Sequence, residues 1–474
     1  MPQLRLKTAT GRWALLATVL GTSLAFLDAT VANLALPHIG AEFDTSLAGL
    51  QWVVTGYTVS LAGLILLGGA LGDRYGRRRI YLVGVVWFGL ASLLCAVAPN
   101  IGALIAARIL QGVGGALLTP GSLALIQASF HPDDRARAIG AWSGLSGVAT
   151  AVGPFLGGWL IGGPGWRWIF LINVPLALVV IAVTVRHLPE SRDEAATGRF
   201  DVTGAVLGAG ALSALTYALT IGGTASTRVT AWVTGASGLV LFAVFLLVEW
   251  RRSHPMLPLS VFSSTQFSAV NAVTFVVYAA LGGVFFFAAL QLQIVVGFSA
   301  LAAGAALLPI TMLLLLLSSS AGALAQRIGP RWPMAGGTAL ATLGALLLAR
   351  IDAQSSYVVD VLPAATIFGL GLALLVAPLT ATVLASVPTH QAGIASGVNN
   401  AVARTGQLLA VAGLPLLAGL AGGDYQEPEV FSTGYRMAMF ACAVLLAAGC
   451  LLSVLMVRDD ALRQPTRPTV ARAP

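Results

Sequence analysis

The sequence predicts an all-α polytopic membrane protein, built from two six-helix halves with two further helices inserted between them. Three observations predict it: a very apolar composition, fourteen long apolar runs, and a short basic segment that occurs twice. Of the 474 residues, 57% are hydrophobic and only 9% are charged, and the mean hydropathy is +0.88. Soluble globular domains contain about 25% charged residues, so the composition excludes that class.

The apolar runs have the length of membrane-spanning helices. A helix needs about 20 apolar residues to cross a bilayer, and all of its backbone groups must be hydrogen-bonded inside it. The first run is too long for a signal peptide, so we expect it to remain in the mature protein. The fourteen runs lie at 13–36, 50–71, 80–98, 102–129, 139–162, 168–188, 202–222, 231–250, 268–290, 300–325, 333–350, 357–386, 393–420 and 434–457.

A basic segment occurs once in each half. Residues 69–78 (GALGDRYGRR) match residues 322–331 (GALAQRIGPR) at six of ten positions, at an offset of 253 residues. Each copy lies between apolar runs, which indicates a duplicated protein whose halves surround a central site. A chance match between Gly- and Arg-rich segments is the alternative.

The repeat also predicts the domain boundaries. The N-terminal six-helix half is predicted at 1–188 and the C-terminal half with a cytoplasmic tail at 268–474. The segment 189–267 is then an inserted helix pair with cytoplasmic flanks. A twelve-helix chain with a long loop in this place is the alternative, but a loop this apolar would itself have to leave water.

The net charge of +8 is explained by membrane topology. With fourteen spans and both termini on one side, 20 of the 26 basic residues lie on that side, 3 lie on the opposite side and 3 lie in spans or at their edges. Loops rich in Lys and Arg stay in the cytoplasm. We therefore expect both termini in the cytoplasm of a bacterial inner membrane, with lipids rather than nucleic acid as the partners of this charge.

Cysteine and histidine give no sign of a metal site or a disulfide framework. The three cysteines lie inside apolar runs, and the five histidines lie at run ends or in loops. An enzyme would need paired carboxylates, a histidine cluster or a nucleophile elbow within the spans, and the sequence has none of these. We expect no enzymatic activity, no metal and no bound cofactor.

Asp28 is the one acidic residue placed well inside a span. A carboxylate at mid-membrane costs about 2.5–3.5 kcal/mol on insertion scales, so such a residue marks a functional site by default. Burial favours the neutral form of a carboxylic acid, which suits a group that exchanges protons. The alternative is an Asp that only holds the bundle together through an ion pair.

Two arginines lie inside spans as well. At 1.5 Å per residue, Arg108 lies ~9 Å below the outer end of helix four, and Asp28 lies ~13 Å below Pro37 at the end of helix one. The similar depths predict that the two residues pair, for proton coupling or as a structural ion pair. Arg404 lies mid-span in helix thirteen and has no buried acid in its own half. It either faces the cavity or binds carbonyls of a broken helical turn.

Aromatic and polar residues within the spans are candidates for lining a central cavity. Aromatic faces attract cationic ligands, although an aromatic residue in a membrane helix more often contacts lipid or packs against another helix. The candidates are Phe26, Asn33, Gln51, Tyr57, Trp142, Tyr278, Gln291 and Arg404.

Five segments carry motifs that resemble a known family. They are Leu27–Pro37, Gly72–Arg79, Arg108–Ala116, Gly147–Gly158 and Trp166–Pro175. Together they resemble the major facilitator superfamily, and within it the fourteen-helix drug/proton antiporter family of bacteria. The resemblance covers nearly the whole chain. The hairpin Gly72–Arg79 is specific only to the superfamily, whereas the first and fourth segments narrow the assignment.

The resemblance implies a proton-coupled antiporter that exports amphipathic, cationic or neutral organic compounds, such as drugs or antibiotics, by alternating access. It implies that the proton gradient is the energy source, that Arg108 tunes proton movement near Asp28, and that the protein is a monomer. It also implies a gating hairpin between helices two and three, although the hairpin arginines could serve only to set the membrane topology. It further implies an antiporter element in helix five. These residues are Gly72, Asp73, Arg74, Gly76, Arg77 and Arg78 for the hairpin, and Gly147, Gly153, Pro154, Gly157 and Gly158 for helix five.

The sequence departs from some relatives in helix ten, where 300–325 contains no acidic residue. A single buried acid predicts electroneutral exchange of a monovalent cation for one proton, and weak or no transport of dications. A dedicated exporter of one endogenous metabolite or antibiotic is the alternative function. A non-transporting receptor or scaffold is a weaker alternative, because it would need no buried Asp.

Overall fold

A computed structural model describes residues 4–192, 201–252, 255–388 and 391–462. These residues form helices and connecting loops, and they contain no β-strand beyond an isolated bridge between Leu4 and Phe130. Short π-helical turns at Gln291–Val295 and Tyr357–Val361 extend two of the helices. The helices are α1 (Ala9–Phe43), α2 (Leu47–Tyr75), α3 (Arg77–Ala96), α4 (Ile101–Ser129), α5 (Pro132–Gly162), α6 (Trp168–Leu171), α7 (Asn173–His187), α8 (Val202–Ile221), α9 (Arg228–Arg251), α10 (Thr265–Leu290), α11 (Ala300–Ala306), α12 (Leu308–Ile328), α13 (Arg331–Leu348), α14 (Leu362–Ala385), α15 (Ala392–Leu417) and α16 (Pro428–Met456).

The apolar runs correspond to these helices. Within the described residues, twelve helical segments are long and apolar enough to cross a membrane. The runs at 333–350 and 393–420 form α13 and α15, which are helical but are not among those twelve. The prediction of an all-α polytopic membrane protein is confirmed, and the count of fourteen spans is not.

Polar residues at the ends of the apolar runs set where several helices begin. Ser46 caps α2, Asn100 caps α4 and Ser264 caps α10, each accepting a hydrogen bond from a backbone N–H in the first turn. Such caps satisfy backbone donors that have no partner inside the helix. Short polar loops between apolar runs therefore fix the helix starts before any packing is considered.

Loops lie at two ends of the helix bundle. At one end, which we call the hairpin side, the junction of α2 and α3 contacts the segment after α7, where Arg77 N donates to Ser191 O over 2.8 Å. Trp13 near the start of α1 stacks on His187 at the end of α7 at the same end of the bundle. We call the opposite end the far side, where the turn between α1 and α2 meets the loop between α15 and α16.

Hydrogen bonds join the two halves on the far side. Leu47 N donates to Gly422 O over 2.9 Å, and the Tyr425 hydroxyl donates to Thr45 O over 2.8 Å. In both cases the turn between α1 and α2 of the N-terminal half contacts the loop between α15 and α16 of the C-terminal half. The halves are thus in contact across the far side in this conformation.

The helix pair α8 and α9 lies at the edge of the bundle. The two helices pack against each other, and α8 also contacts α2 of one half and α15 of the other. On α9, Val229 and Trp232 are 75% exposed and Trp250 is 72% exposed. Such an apolar outer face is expected for a helix that contacts lipid. The domain boundaries at 188 and 268 remain a prediction.

Candidate functional site

Asp28 and Arg108 form an ion pair inside the N-terminal half. Asp28 is near the midpoint of α1 and is 3% exposed, while Arg108 lies two turns into α4 and is 1% exposed. Arg108 Nη1 donates directly to Asp28 Oδ2. The structure thus brings together the two residues whose depths the sequence matched, and both are buried.

Two further polar side chains donate to the Asp28 carboxylate, and a third accepts hydrogen bonds from both of them. Gln111 Nε2 donates to Asp28 Oδ1 over 2.8 Å, and Asn173 Nδ2 approaches the same oxygen at 3.3 Å. Ser92 Oγ accepts from Gln111 over 2.8 Å and from Asn173 over 3.4 Å. Side chains from four helices, α1, α3, α4 and α7, are therefore linked in one network around this carboxylate, so its charge affects how these helices pack.

The Arg108 guanidinium also binds groups other than Asp28. Its Nε donates to Val53 O on α2 over 2.9 Å, and Nη1 also donates to Gln111 Oε1 over 2.5 Å. The guanidinium carbon lies 4.5 Å from the Tyr57 ring centroid and 5.5 Å from that of Phe170. A buried ion pair is stable only when further hydrogen bonds offset the cost of removing its charges from water, and these contacts to Nε and Nη1 supply such bonds.

The sequence analysis missed Gln111, Ser92 and Asn173 as part of this site. Gln111 follows Arg108 by three residues, a spacing that puts both side chains on one face of a helix, so the signal was present. Asn173 is the first residue of α7, where the helix restarts after a break at Ile172, and a polar residue there was a weaker signal. A serine in a membrane helix is too common for Ser92 to stand out.

Arg404 occupies a different environment. It lies at the middle of α15 and is half-buried. Its Nη1 donates to Gln407 Oε1 over 3.3 Å, and its guanidinium carbon lies 5.9 Å from the Phe26 ring centroid on α1. The structure therefore brings two of the predicted cavity residues, Phe26 of the N-terminal half and Arg404 of the C-terminal half, close together. Tyr57 instead lies beside Arg108, and Tyr278 on α10 is partly buried.

Two predicted cavity residues, Gln51 and Gln291, are instead buried within helix contacts. Gln51 is 2% exposed, and its Nε2 donates to the backbone carbonyls of Val411 and Ala412 on α15 over 2.8 and 2.9 Å. Gln291 is fully buried and donates to Ile351 O over 2.8 Å. Val411 lies four residues before Pro415 on α15, and proline has no N–H to donate to that carbonyl, whereas Ile351 lies just beyond the end of α13. Both glutamines therefore donate to backbone carbonyls that are short of a helical partner.

Asn33 and Trp142 are half-buried in the N-terminal half. The indole N–H of Trp142 on α5 donates to Thr22 Oγ1 on α1 over 3.0 Å. The Asn33 side chain approaches Ala29 O at 3.5 Å, and its own carbonyl oxygen is buried without a hydrogen-bond partner in the described part of the chain. Trp142 thus joins α1 to α5, whereas Asn33 keeps an acceptor for a further partner.

The basic hairpin is held by acidic residues on both sides of it. Arg77 forms an ion pair of 2.7 Å with Asp73 one turn earlier. Glu190, which the sequence analysis did not select, accepts from the backbone N–H groups of Arg78 and Arg79 over 3.0 and 3.2 Å. A carboxylate at the start of α3 interacts favourably with the helix dipole. The hairpin is therefore a structured contact between α2, α3 and the end of α7.

Glycine is required at the centre of this hairpin. Gly76 has φ of 111°, and a Cβ there would lie 2.7 Å from the Glu190 carboxyl group. Arg78 extends to Val185 O over 2.7 Å, while Arg74 lies 5.8 Å from the Tyr75 ring centroid. Gly72 accepts the capping hydrogen bond from Gly76 N at the end of α2.

The glycines of α5 allow it to pack closely against α1. A Cβ at Gly153 would lie 2.6 Å from Thr30 Oγ1, and one at Gly157 would lie 2.4 Å from Val31 Cγ1. These partners follow Asp28 by two and three residues on α1. At Gly147 the nearest atom is a leucine methyl of α12 at 3.7 Å, which is an ordinary contact. Movement of α1 near Asp28 would therefore move α5.

Another face of α5 contacts α11 of the C-terminal half. A Cβ at Gly158 would lie 2.4 Å from Leu301 Cα, and one at Gly304 would lie 2.3 Å from Pro154 O. Because the contacts are to backbone atoms, a side chain at either position would force the helices apart. The far-side junction of α5 and α11 thus depends on two glycines, one from each half.

A second acidic cluster lies at the hairpin-side ends of α8 and α9. Asp201 caps α8 and binds Arg252, and Glu249 is 1% exposed and accepts from Leu257 N over 2.8 Å. One oxygen of each carboxyl group lacks a hydrogen-bond donor in the described residues. Both oxygens would lie within 3 Å of a Cβ at Gly204. This cluster ties the inserted pair together.

The described residues contain no group of three or more His, Cys, Asp or Glu side chains that would hold a metal ion. An all-helical bundle of long apolar helices, with an ion pair buried among them, is the architecture of a polytopic membrane protein. Residues 18–411 match the family model described as Major Facilitator Superfamily, and the chain belongs to this family.

Several relatives are named for drug or antibiotic resistance. Multidrug resistance protein Stp of Mycobacterium tuberculosis (strain CDC 1551 / Oshkosh) is 38% identical over 403 residues, covering 84% of this chain and 74% of that protein. Puromycin resistance protein pur8 of Streptomyces alboniger is 36% identical over 460 residues, covering 94% and 91%. Tetracenomycin C resistance and export protein of Streptomyces glaucescens is 33% identical over 418 residues, covering 86% and 76%.

Solved transporters share the fold. A bacterial homolog of the human lysosomal transporter Spinster, in an inward-facing and occupied conformation, gives a TM-score of 0.68 at 18% identity, covering 97% of this chain and 100% of that one. An auto-inhibited POT family peptide transporter gives a TM-score of 0.68 at 15% identity, covering 98% and 99%. At these identities the likeness concerns the fold alone.

Proposed function

We propose that the protein is a proton-driven exporter of amphipathic organic compounds, including drugs or antibiotics, that works by alternating access. The observation that carries the proposal is the Asp28–Arg108 ion pair, because a buried carboxylate in a membrane bundle is costly and functional by default. The names of the relatives support export of toxic compounds: one is a multidrug resistance protein and another a puromycin resistance protein.

The coupling follows from the contacts of Asp28. A proton on the carboxylate removes its charge, so the attraction to Arg108 is lost while Arg108 stays bound to Val53 O on α2. The helices that meet at the carboxylate then separate or rotate at less cost. Proton binding changes the balance of two conformations only to the extent that its affinity differs between them, and loss of the ion pair provides that difference.

The contacts between helices carry this change to the junction of the halves. Thr30 and Val31 on α1 pack into Gly153 and Gly157 of α5, and the next face of α5 packs on α11 of the other half. A shift of α1 at Asp28 therefore acts on the far-side junction through one intervening helix. In the alternating-access cycle, this junction closes in one state and opens in the other.

In this proposal the protein has fourteen spans, namely the twelve strongly apolar segments together with α13 and α15. The hairpin side faces the cytoplasm of the bacterial inner membrane and holds both termini, as the asymmetry of basic residues predicts. The protein acts as a monomer, uses the proton gradient as its energy source and needs no bound cofactor. The conformation described is then closed toward the outside.

The topology is tested by labelling single cysteines from outside intact cells, in a variant whose native cysteines are replaced. We expect no labelling at Ser253→Cys or Gln464→Cys, which lie outside the described residues and on the predicted cytoplasmic side. Gln354→Cys, in the exposed loop before α14, is expected to label rapidly. Labelling at Ser253→Cys or Gln464→Cys in sealed cells would show that the fourteen-span arrangement is wrong.

The transport function is tested in inverted membrane vesicles. Vesicles containing the protein are expected to accumulate lipophilic dyes when respiration acidifies their interior, because the proton leaves down its gradient as the compound enters. A protonophore is expected to abolish the accumulation, and vesicles without the protein serve as the control. Accumulation that persists when both the pH gradient and the potential are collapsed would rule out proton coupling.

A further inference from the structure

Arg404 carries a charge that no described acidic side chain balances. It lies at the middle of α15, and no carboxylate in the described residues comes within 4.0 Å of it. A guanidinium has five N–H donors, yet the Arg404 side chain makes one described hydrogen bond, of 3.3 Å, to Gln407. Arg108, by contrast, is bound to a carboxylate, an amide oxygen and a backbone carbonyl.

The acid nearest to the centre of the bundle does not compensate Arg404. Asp28 is 3% exposed, and both of its oxygens are engaged by Arg108, Gln111 and Asn173. Among the described residues, two arginines and one carboxylate therefore lie deep in the bundle. The carboxylate pairs with Arg108, so the positive charge of the half-buried Arg404 has no counter-charge. A buried charge normally has a partner, so the missing partner of Arg404 is expected to come from outside the chain.

A second observation lies beside Arg404. The Phe26 ring on α1 is half-buried, and its centroid lies 5.9 Å from the Arg404 guanidinium carbon on α15. Aromatic side chains and guanidinium groups together suit a ligand that has an apolar body and a charged group. A guanidinium without a carboxylate partner and an aromatic ring thus occur together between the two halves.

We propose that Arg404 binds an anionic group on the transported compound, such as a carboxylate, a phenolate or a sulfonate, while the Phe26 ring packs on its apolar part. The inference rests on the proposed exporter function and adds the charge of its substrate. It replaces the expectation of cationic substrates, which required Asp28 to face the cavity. The buried Asp28 is engaged by Arg108 and offers no free negative charge to a cation.

The sign of the substrate charge changes the energetics of exchange. Export of a monoanion against import of one proton moves two positive charge equivalents inward per cycle. Exchange of a monocation for one proton moves none. The transport of an anion is therefore expected to depend strongly on the membrane potential even when the pH gradient is held constant.

The test uses two anionic dyes, fluorescein and 8-anilinonaphthalene-1-sulfonate, and two cationic dyes, rhodamine 123 and ethidium, in energised inverted vesicles. We expect the wild-type protein to accumulate the anionic dyes. Arg404→Gln is expected to reduce their accumulation at least tenfold, without reducing whatever accumulation of the cationic dyes the wild-type protein shows, and Arg404→Lys is expected to retain part of the anionic transport. Arg350→Gln, in an exposed far-side position, is the matched control and is expected to behave as wild type.

Three outcomes would overturn the inference. Wild-type protein that accumulates only the cationic dyes would show that the substrate charge is positive. An equal loss of anionic and cationic transport in Arg404→Gln, with normal size-exclusion behaviour, would show that Arg404 has a structural role. Accumulation of an anionic dye that does not respond to an imposed potential would contradict the charge count. If wild-type protein accumulates none of the four dyes, the exporter proposal fails, and the substrate inference fails with it.

Discussion

Asp28→Asn is expected to lower uphill, proton-driven transport at least a hundredfold, which is the level of vesicles without the protein. Asparagine cannot bind the coupling proton, so the proton gradient no longer biases the two conformations. It still accepts a hydrogen bond through its carbonyl oxygen, so part of the network with Arg108 and Gln111 survives. The measurement is dye accumulation in inverted vesicles, normalised to the amount of protein.

A matched control separates coupling from folding. Asp44→Asn lies at the C-cap of the same helix, at an exposed position with φ of 44°, which asparagine tolerates well. It is expected to leave transport unchanged. Because Asp28→Asn leaves Arg108 buried without its carboxylate, a cost of about 3–5 kcal/mol is expected. The double variant Asp28→Asn/Arg108→Gln removes both charges, so it should fold better and still fail to transport uphill.

Retention of uphill transport by a well-folded Asp28→Asn variant would contradict the assignment of the proton site. The double variant makes the result decisive, because a loss of transport there cannot be attributed to an uncompensated arginine. Downhill exchange of dye across de-energised vesicles is expected to continue in both variants, since the two halves can still move. Loss of downhill exchange as well would indicate damage to the conformational change itself.

The fold was predictable because a bilayer permits few arrangements. Apolar runs of spanning length must be helical, and the repeat at Gly69 and Gly322 indicated two related halves. The ion pair was predictable for a similar reason: charges deep in apolar runs are rare and tend to pair. The number of spans was harder to predict, because α13 and α15 are polar enough to fall outside the twelve strongly apolar segments.

The details of the site were less predictable because polar residues in a membrane helix have several uses. Gln51 satisfies backbone carbonyls of the opposite half, and Gln293 similarly donates to Leu34 O over 3.1 Å, yet their sequence surroundings resemble those of cavity residues. Gln111 and Asn173 bind the carboxylate instead. Which partner a side chain finds depends on the rotation of its helix against its neighbours, and apolar runs without a clear polar face do not specify that rotation.

The glycine contacts between α5 and α11 make a second large effect testable. Gly158→Leu is expected to stop transport, because the new side chain would collide with the backbone of Leu301, where a Cβ alone would lie 2.4 Å from Cα. The collision prevents closure of the far side, while the helix itself favours leucine over glycine by nearly 1 kcal/mol. The variant should therefore fold and remain trapped with its far side open.

Two measurements distinguish a trapped protein from a damaged one. Spin labels at Val97 and Gln354, exposed far-side positions in opposite halves, are expected to show a longer distance in Gly158→Leu than in wild type. Gly140→Leu is the matched control on the same helix, because a Cβ at Gly140 would have no atom within 4 Å. It is expected to transport normally and to keep the wild-type distance.

A comparison of Gly158→Leu with Asp28→Asn also tests the connection between proton binding and closure of the far side. If the far side must close for turnover, Gly158→Leu loses both uphill transport and downhill exchange, whereas Asp28→Asn loses only the uphill component. An unchanged far-side distance in Gly158→Leu, together with normal transport, would show that the α5–α11 contact does not form the closing junction. The two halves would then have to close through other contacts, such as those of α2 with α15.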